Sequence, residues 1–264
     1  MKYYIYLLVF MISIFVACND TTSNPTDNEL PSYSKLAEGF AQGTKIEIFV
    51  EKTPFVGYNR FHLAISDSAS KKSISNAQIT LKPIMDMGTM IHSAPYENPL
   101  SDKAENGYFS CAVVFIMSGM WQMEISFTRQ DNQESGTVKV EFDVAPASLV
   151  KKVTGSDSVQ YFITLVENDK WQVGMNDIEF CLHQKTSMMS FPAVENMQMS
   201  MEPWMDMGNN SGHGSPNNEN PVHQTMGHYK GKVNFTMSGE WDINLDINNA
   251  FTTIASTKFV VTVE

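Results

Sequence analysis

From residue 44 onward, apolar residues recur at every second position in short runs. In the first half these are Ile46/Ile48/Val50, Phe61/Leu63/Ile65, Ala77/Ile79/Leu81, Val113/Phe115/Met117, Trp121/Met123/Ile125/Phe127 and Val138/Val140/Phe142/Val144. In the second half they are Ile178/Phe180/Leu182, Met197/Met199/Met201, Val233/Phe235/Met237, Trp241/Ile243/Leu245/Ile247 and Phe259/Val261/Val263. Side chains of a strand alternate between its two faces, so a period of two marks strands with one buried face. No segment carries a sustained helical period with caps. Ser118-Gly119 and Ser238-Gly239 separate apolar runs and predict tight hairpin turns. Many short strands within each stretch of about a hundred residues predict an all-β chain of two tandem Ig-like β-sandwiches.

The first residues break the pattern. Lys2 is followed by an uncharged, mostly apolar run from Tyr3 to Ala17 and then Cys18. A basic start, an apolar stretch and a small residue before the cut describe a secretory signal, and the run is shorter than the roughly 20 residues that span a bilayer. Phe15-Val16-Ala17-Cys18 resembles the lipobox at which bacterial lipoproteins are cut and lipidated, with Phe15 where Leu is usual. Residues 1–17 therefore read as a lipoprotein signal peptide and Cys18 as the lipidated residue; the alternative is an ordinary cleaved signal with a chance cysteine. Residues 18–43, rich in Asn, Thr, Ser, Asp and Pro, read as a flexible tether. The expected location is the cell envelope of a Gram-negative-type bacterium, periplasmic or at the outer membrane, with the membrane as partner through the N-terminal lipid.

The body is one unit written twice. Residues 77–88 read AQITLKPIMDMG and residues 197–208 read MQMSMEPWMDMG, sharing Gln, Pro and Met-Asp-Met-Gly. Residues 115–121, FIMSGMW, answer to residues 235–241, FTMSGEW. His92 with Pro95 answers to His213 with Pro216, Glu97-Asn98-Pro99 to Glu219-Asn220-Pro221, and Gly57-x-Asn59 to Gly174-x-Asn176. Ordered matches of this kind identify an internal repeat. Its copies run over 44–146 and 157–264, each long enough for its own core, with a short exposed link from Pro146 to Ser156.

Charge and cysteine content narrow the function. The chain has a formal net charge of −11, with 18 Lys plus Arg against 29 Asp plus Glu, which argues against nucleic acid as a partner. Its three cysteines cannot form a disulfide scaffold of this size. Cys111 shares the inward face with Val113 and Phe115, Cys181 lies on the opposite face with Glu179 and His183, and a bridge between them is not expected. His62 and His183 fall in or beside early strands and are expected to be exposed. Nucleophile elbow, zincin, P-loop and dinucleotide motifs are missing, so no catalysis is expected.

Copy two resembles the YtkA-like domain through Met199, Met201, Met205, Met207, Gly208, His213, Gly227, His228, Tyr229, Gly231, Phe235, Met237, Gly239 and Trp241. Copy one is a more divergent match through Met85, Met87, Gly88, His92, Gly107, Tyr108, Phe115, Met117, Gly119 and Trp121, and lacks a counterpart to His228. The resemblance implies small exported Ig-like sandwiches, akin to FixH-like and CopC-like proteins, with copper handling among some relatives.

The residues themselves point the same way. Of 18 methionines, seven lie between Met188 and Met207, so they are concentrated rather than scattered. Thioether sulfur is a soft ligand and imidazole an intermediate one, a combination that suits Cu(I). The candidate ligands are Met85, Met87, Met90 and His92 in copy one, and Met205, Met207, His213, His223, Met226 and His228 in copy two. Residues i and i+2 of an extended segment point the same way, so Met85 is expected to converge with Met87, and Met205 with Met207. The competing reading makes these loops an apolar plug over the sandwich. Met117 and Met237 on strand faces, and Met197, Met199 and Met201 in the places of Ala77, Ile79 and Leu81, are expected in the core; Trp121 and Trp241 are expected to anchor it. Two functions follow: a lipid-anchored copper metallochaperone or metal-sensing protein, or an envelope protein-interaction or assembly module with a Met-lined surface and no metal.

Overall fold

A computed structural model describes residues 33–264 apart from Asn210 and Phe251. The signal peptide, Cys18 and most of the tether lie outside the described residues. Among those described there is no helix, and so none long and apolar enough to cross a membrane.

Repeat 1 contains β1 (Ser34–Ala41), β2 (Thr44–Val50), β3 (Gly57–Asp67), β4 (Ala77–Asp86), β5 (Ile91–His92), β6 (Tyr96–Glu97), β7 (Phe109–Phe115), β8 (Gly119–Arg129) and β9 (Ser135–Val144). Repeat 2 contains β10 (Val150–Thr154), β11 (Gln160–Leu165), β12 (Gly174–Gln184), β13 (Gln198–Gly208), β14 (Ser211–Gly214), β15 (Glu219–His223), β16 (His228–Phe235), β17 (Gly239–Asn249) and β18 (Thr252–Val263). Each repeat packs a five-stranded sheet on a four-stranded one. The orders are β1-β2-β3-β7-β6 over β5-β4-β8-β9, and β10-β11-β12-β16-β15 over β14-β13-β17-β18. All pairings between these strands are antiparallel.

Three expectations change. Residues 34–41, read as tether, form β1 on β2, because Leu36, Ala37 and Ala41 pack against the core. The link likewise contains β10, through Val150 and Val153. Ser118-Gly119 and Ser238-Gly239 are not hairpins: β7 and β8 lie in opposite sheets, as do β16 and β17. Each turn is an arch from one sheet to the other, closed by a core tryptophan. Trp121 and Trp241 are fully buried, and a buried indole N–H needs an acceptor. Trp121 Nε1 donates to Met117 O at 3.0 Å, and Trp241 Nε1 to Met237 O at 3.1 Å.

Other repeated residues have local duties. Asn59 Nδ2 donates to Phe55 O and Gly57 O, and Asn176 Nδ2 does the same to Gln172 O and Gly174 O. Asn98 Oδ1 accepts the Leu81 N–H at 2.8 Å and Asn220 Oδ1 that of Met201 at 2.9 Å. These bonds satisfy strand donors that the ladder leaves free and pin β6 and β15 across to the facing sheet.

Residues 33–264 form a single compact unit, and the two sandwiches meet through the outward faces of their larger sheets. Ala112, Val114, Phe162, Cys181 and His183 are buried yet belong to neither core. His183 was expected at the surface; the neighbouring sandwich covers it. His62, also expected to be exposed, is buried under Tyr33, which stacks on it at 3.7 Å. Cys111 and Cys181 are both free thiols, and burial pushes both upward. At the centre of the join, His228 of β16 sits between two carboxylates. Nδ1 is 2.6 Å from Glu179 Oε1, and Nε2 is 2.7 Å from Glu97 Oε1 of repeat 1. Tyr58 donates its hydroxyl to the other Glu97 oxygen at 2.9 Å. Lys52 adds a second link, to Glu167 at 2.9 Å and Asp169 at 2.6 Å.

Burial alone would lower the His228 pKa, but its bonds to Cys181, Glu179 and Glu97 outweigh that and raise it. Burial raises the Glu179 pKa, and the bonds and charges of His228 and Lys230 together outweigh this to lower it. The imidazolium therefore contributes stability fully below the ordinary histidine value near 6.5 and loses it as pH rises through its raised value. Glu179 contributes above the ordinary glutamate value near 4.3 and loses it as pH falls through its depressed value. His228→Gln is expected to cost about 2 kcal/mol, below the figure for a fully buried pair because these side chains keep 12–21% exposure. Urea unfolding of both forms is expected to show the largest gap between about pH 4.5 and 6.5, narrowing on either side. A gap that widens toward pH 9 contradicts the assignment.

Candidate functional site

Each repeat carries the same corner at the end where β4 or β13 meets its short partner strand. Met85 pairs across the ladder with His92, and Met205 with His213. Both methionines are buried, their methyl carbons 3.2 and 3.1 Å from where a Cβ on Gly119 or Gly239 would stand. Those glycines have φ of +118° and +127°, so they suit the arch by conformation and by space. The His92 ring is 5.3 Å from Trp121 at 82°, and His213 is 5.3 Å from Trp241 at 85°. Met117 and Met237 provide the carbonyls that the tryptophans use. One corner thus gathers Met85, His92, Met117 and Trp121; the other gathers Met205, His213, Met237 and Trp241.

The histidines have a defined tautomer. His92 Nδ1 is 2.9 Å from Ser93 O, and His213 Nδ1 is 3.0 Å from Gly214 O. A carbonyl only accepts, so Nδ1 carries a proton, and in the neutral ring Nε2 keeps its lone pair. A metal-binding histidine is commonly oriented in this way. His92 Nε2 is buried and has no partner among the described residues.

The Met-x-Met convergence does not occur. In Met-Asp-Met-Gly the aspartate makes a side-chain turn, with Asp86 Oδ1 accepting the Gly88 N–H at 2.7 Å and Asp206 Oδ1 that of Gly208 at 2.8 Å. Both glycines adopt φ of +77°. The turn sends the second methionine outward: Met87, Met90 and Met207 are 49%, 50% and 57% exposed. The copy-two histidines also separate. His223 lies against Tyr229 on the other sheet, Met226 sits in the turn before β16, and both nitrogens of His228 face carboxylates. The ten candidates therefore occupy several places, and only Met85 with His92 and Met205 with His213 stand together.

The structure adds Met117 and Met237, which were expected in the core but are 41% exposed, because the chain leaves the sheet at Phe115 and Phe235. Their signal in the sequence was recurrence beside Ser-Gly and Trp in both copies. Met199 and Met201 are core residues as expected, and Met197 packs against the core. Among the described residues no group of three His, Cys, Asp or Glu is placed to hold a metal ion.

Two tandem β-sandwiches with a shared Met–His–Trp corner make this an all-β, Ig-like repeat protein. Its second sandwich is a YtkA-like domain, since residues 156–246 match the family of that description. No curated protein matches. Among solved structures, the chain is similar to the Escherichia coli adhesin FdeC, with 11% identity over 86% of this chain and 65% of that one and a TM-score of 0.27. It is also similar to domains 5–6 of the S-layer protein SbsC, with 10% identity over 88% and 98% and a TM-score of 0.30. A third is the Yersinia pseudotuberculosis adhesin InvE, with 12% identity over 79% and 56% and a TM-score of 0.25. The chain spans less than two thirds of FdeC and of InvE.

Gly239→Ala places a Cβ 3.1 Å from the Met205 methyl at a φ of +127°. It is expected to destabilise by about 1–3 kcal/mol. Gly88→Ala, with nothing within 4 Å of the new Cβ, is expected to cost about 1 kcal/mol from backbone strain alone. Equal urea midpoints for the two variants would contradict the close packing of the corner.

Proposed function

We propose that this is a lipid-anchored envelope protein that binds Cu(I) at its two corners and carries or senses the ion without catalysis. One observation carries the reading: His92 directs a buried, unpartnered Nε2 lone pair into a corner that also holds the Met85 thioether, its other nitrogen tied to a backbone carbonyl. Methionine and neutral histidine bring no charge and soft-to-intermediate donors, which favours a monovalent soft ion over Zn²⁺ or Ca²⁺. The indole beside the imidazole adds a π-face for a cation. The ligands would be Met85, His92 and Met117 in repeat 1, and Met205, His213 and Met237 in repeat 2. The membrane anchor rests on residues 1–18 of the sequence.

A second reading has its own support. Met87, Met90, Met120 and Met207 expose thioethers at the same ends, and adaptable methionine surfaces suit docking of a protein partner. Capture of an envelope partner that persists in chelator and survives His92→Ala/His213→Ala would favour it.

Titration of the full chain in detergent with Cu(I), against a chromophoric competitor, is expected to give two equivalents. Met85→Leu/His92→Ala is expected to remove one and Met205→Leu/His213→Ala the other. Met→Leu keeps core volume, at a stability cost below about 1.5 kcal/mol, so lost stoichiometry would report ligation rather than unfolding. No binding tighter than micromolar sinks the copper reading.

A further inference from the structure

Repeat 2 is longer than repeat 1 between matched positions, from Gly174 to Met197 against Gly57 to Ala77. The extra chain falls in residues 185–197, between β12 and β13, where repeat 1 has residues 68–76. It folds into a tight turn: Ser187 bridges Ser190, and the Thr186 and Ser187 N–H groups both donate to Ser190 O, at 3.1 and 3.3 Å. Met188 and Met189 occupy its two corners. Such corners favour Gly, Asn, Asp or Pro, and methionine contributes nothing to the turn itself. The turn is not free. Ser93 N–H, in the residue after His92, donates to Met188 O at 2.9 Å. Met188 is half-buried yet packs in neither core. Repeat 2 thus ties the backbone of Met188 to the residue next to the unpartnered imidazole of repeat 1.

We propose that Met188 is a further thioether ligand of the repeat 1 site, which is then completed across the domain join. The proposal rests on the Cu(I) reading above and deepens it by making the two sites unequal. The repeat 1 site has a buried histidine under the Met188 turn. The repeat 2 site has a part-exposed His213 followed by the exposed Gly214, with no matching turn bonded to it among the described residues. Repeat 1 is then the retaining site and repeat 2 the exchanging one. Ligands that neutralise no charge favour an additional soft donor, because each sulfur adds to the affinity without a proton to displace.

The test uses the full chain in detergent on a Met205→Leu/His213→Ala background, so that only repeat 1 binds. Cu(I) affinity by competitor titration and the sulfur coordination number by X-ray absorption are read for Met188→Leu and, as a control, Met189→Leu. Met188→Leu is expected to weaken binding about tenfold or more and to lower the sulfur number by one, while Met189→Leu leaves both unchanged. Unchanged affinity and sulfur number in Met188→Leu overturn the proposal and leave the copper reading standing. No Cu(I) binding in the background itself overturns both.

Discussion

A buried indole N–H has few acceptors to choose from, and in this protein it takes a carbonyl four residues upstream. That bond ties down the arch between the sheets, and the corner depends on it. Because Trp121 and Trp241 fill the core at the first inward position of their strands, the chain before them must leave the opposite sheet early. Met117 and Met237 are consequently carried out of the ladder. The glycine that follows each takes a left-handed φ and leaves room for the methyl of Met85 or Met205. The histidine then closes over the tryptophan from the neighbouring short strand. A thioether, an imidazole and an indole are brought together around one donor that has to be satisfied.

The fold was largely legible in the sequence. A period of two survives in every long strand because each sandwich buries one face, and Trp121, Phe127, Ile243 and Phe259 all lie inward as the alternation implies. The repeat was legible because its matches are load points of the fold: Asn59 and Asn176 hold turns, Asn98 and Asn220 satisfy strand donors, and Asp86 and Asp206 close turns. The candidate site was legible only in part. Alternation assumes an unbroken strand, and Met-Asp-Met-Gly interrupts it with a side-chain turn, at the end of β4 and as a register shift within β13, so the pair read as convergent diverges. Met117 departs from its expected place for the same reason, since the strand ends two residues before it.

Long-range placement is where sequence pattern had no purchase. His62 and His183 alternate as surface residues do, and each is buried by a segment that the period cannot see: Tyr33 in one case, the other sandwich in the other. Glu97, Glu179 and His228 are distant in sequence and unremarkable as a spacing. Their meeting depends on how two sheets face each other, which no local rule encodes. The charge they bury together is compensated on both sides of the imidazole, and that is the condition under which such a group is tolerated at all.

The two repeats use equivalent faces differently. In repeat 2 the outward face of the larger sheet carries Glu179, Cys181 and His228, and repeat 1 covers it. The matching positions in repeat 1, by strand register, are His62, Ala64 and Tyr108, and Tyr33 stacks on His62 there. The same three positions thus serve as a joint in repeat 2 and as an aromatic packing site in repeat 1, where Tyr33 lies against both His62 and Tyr108.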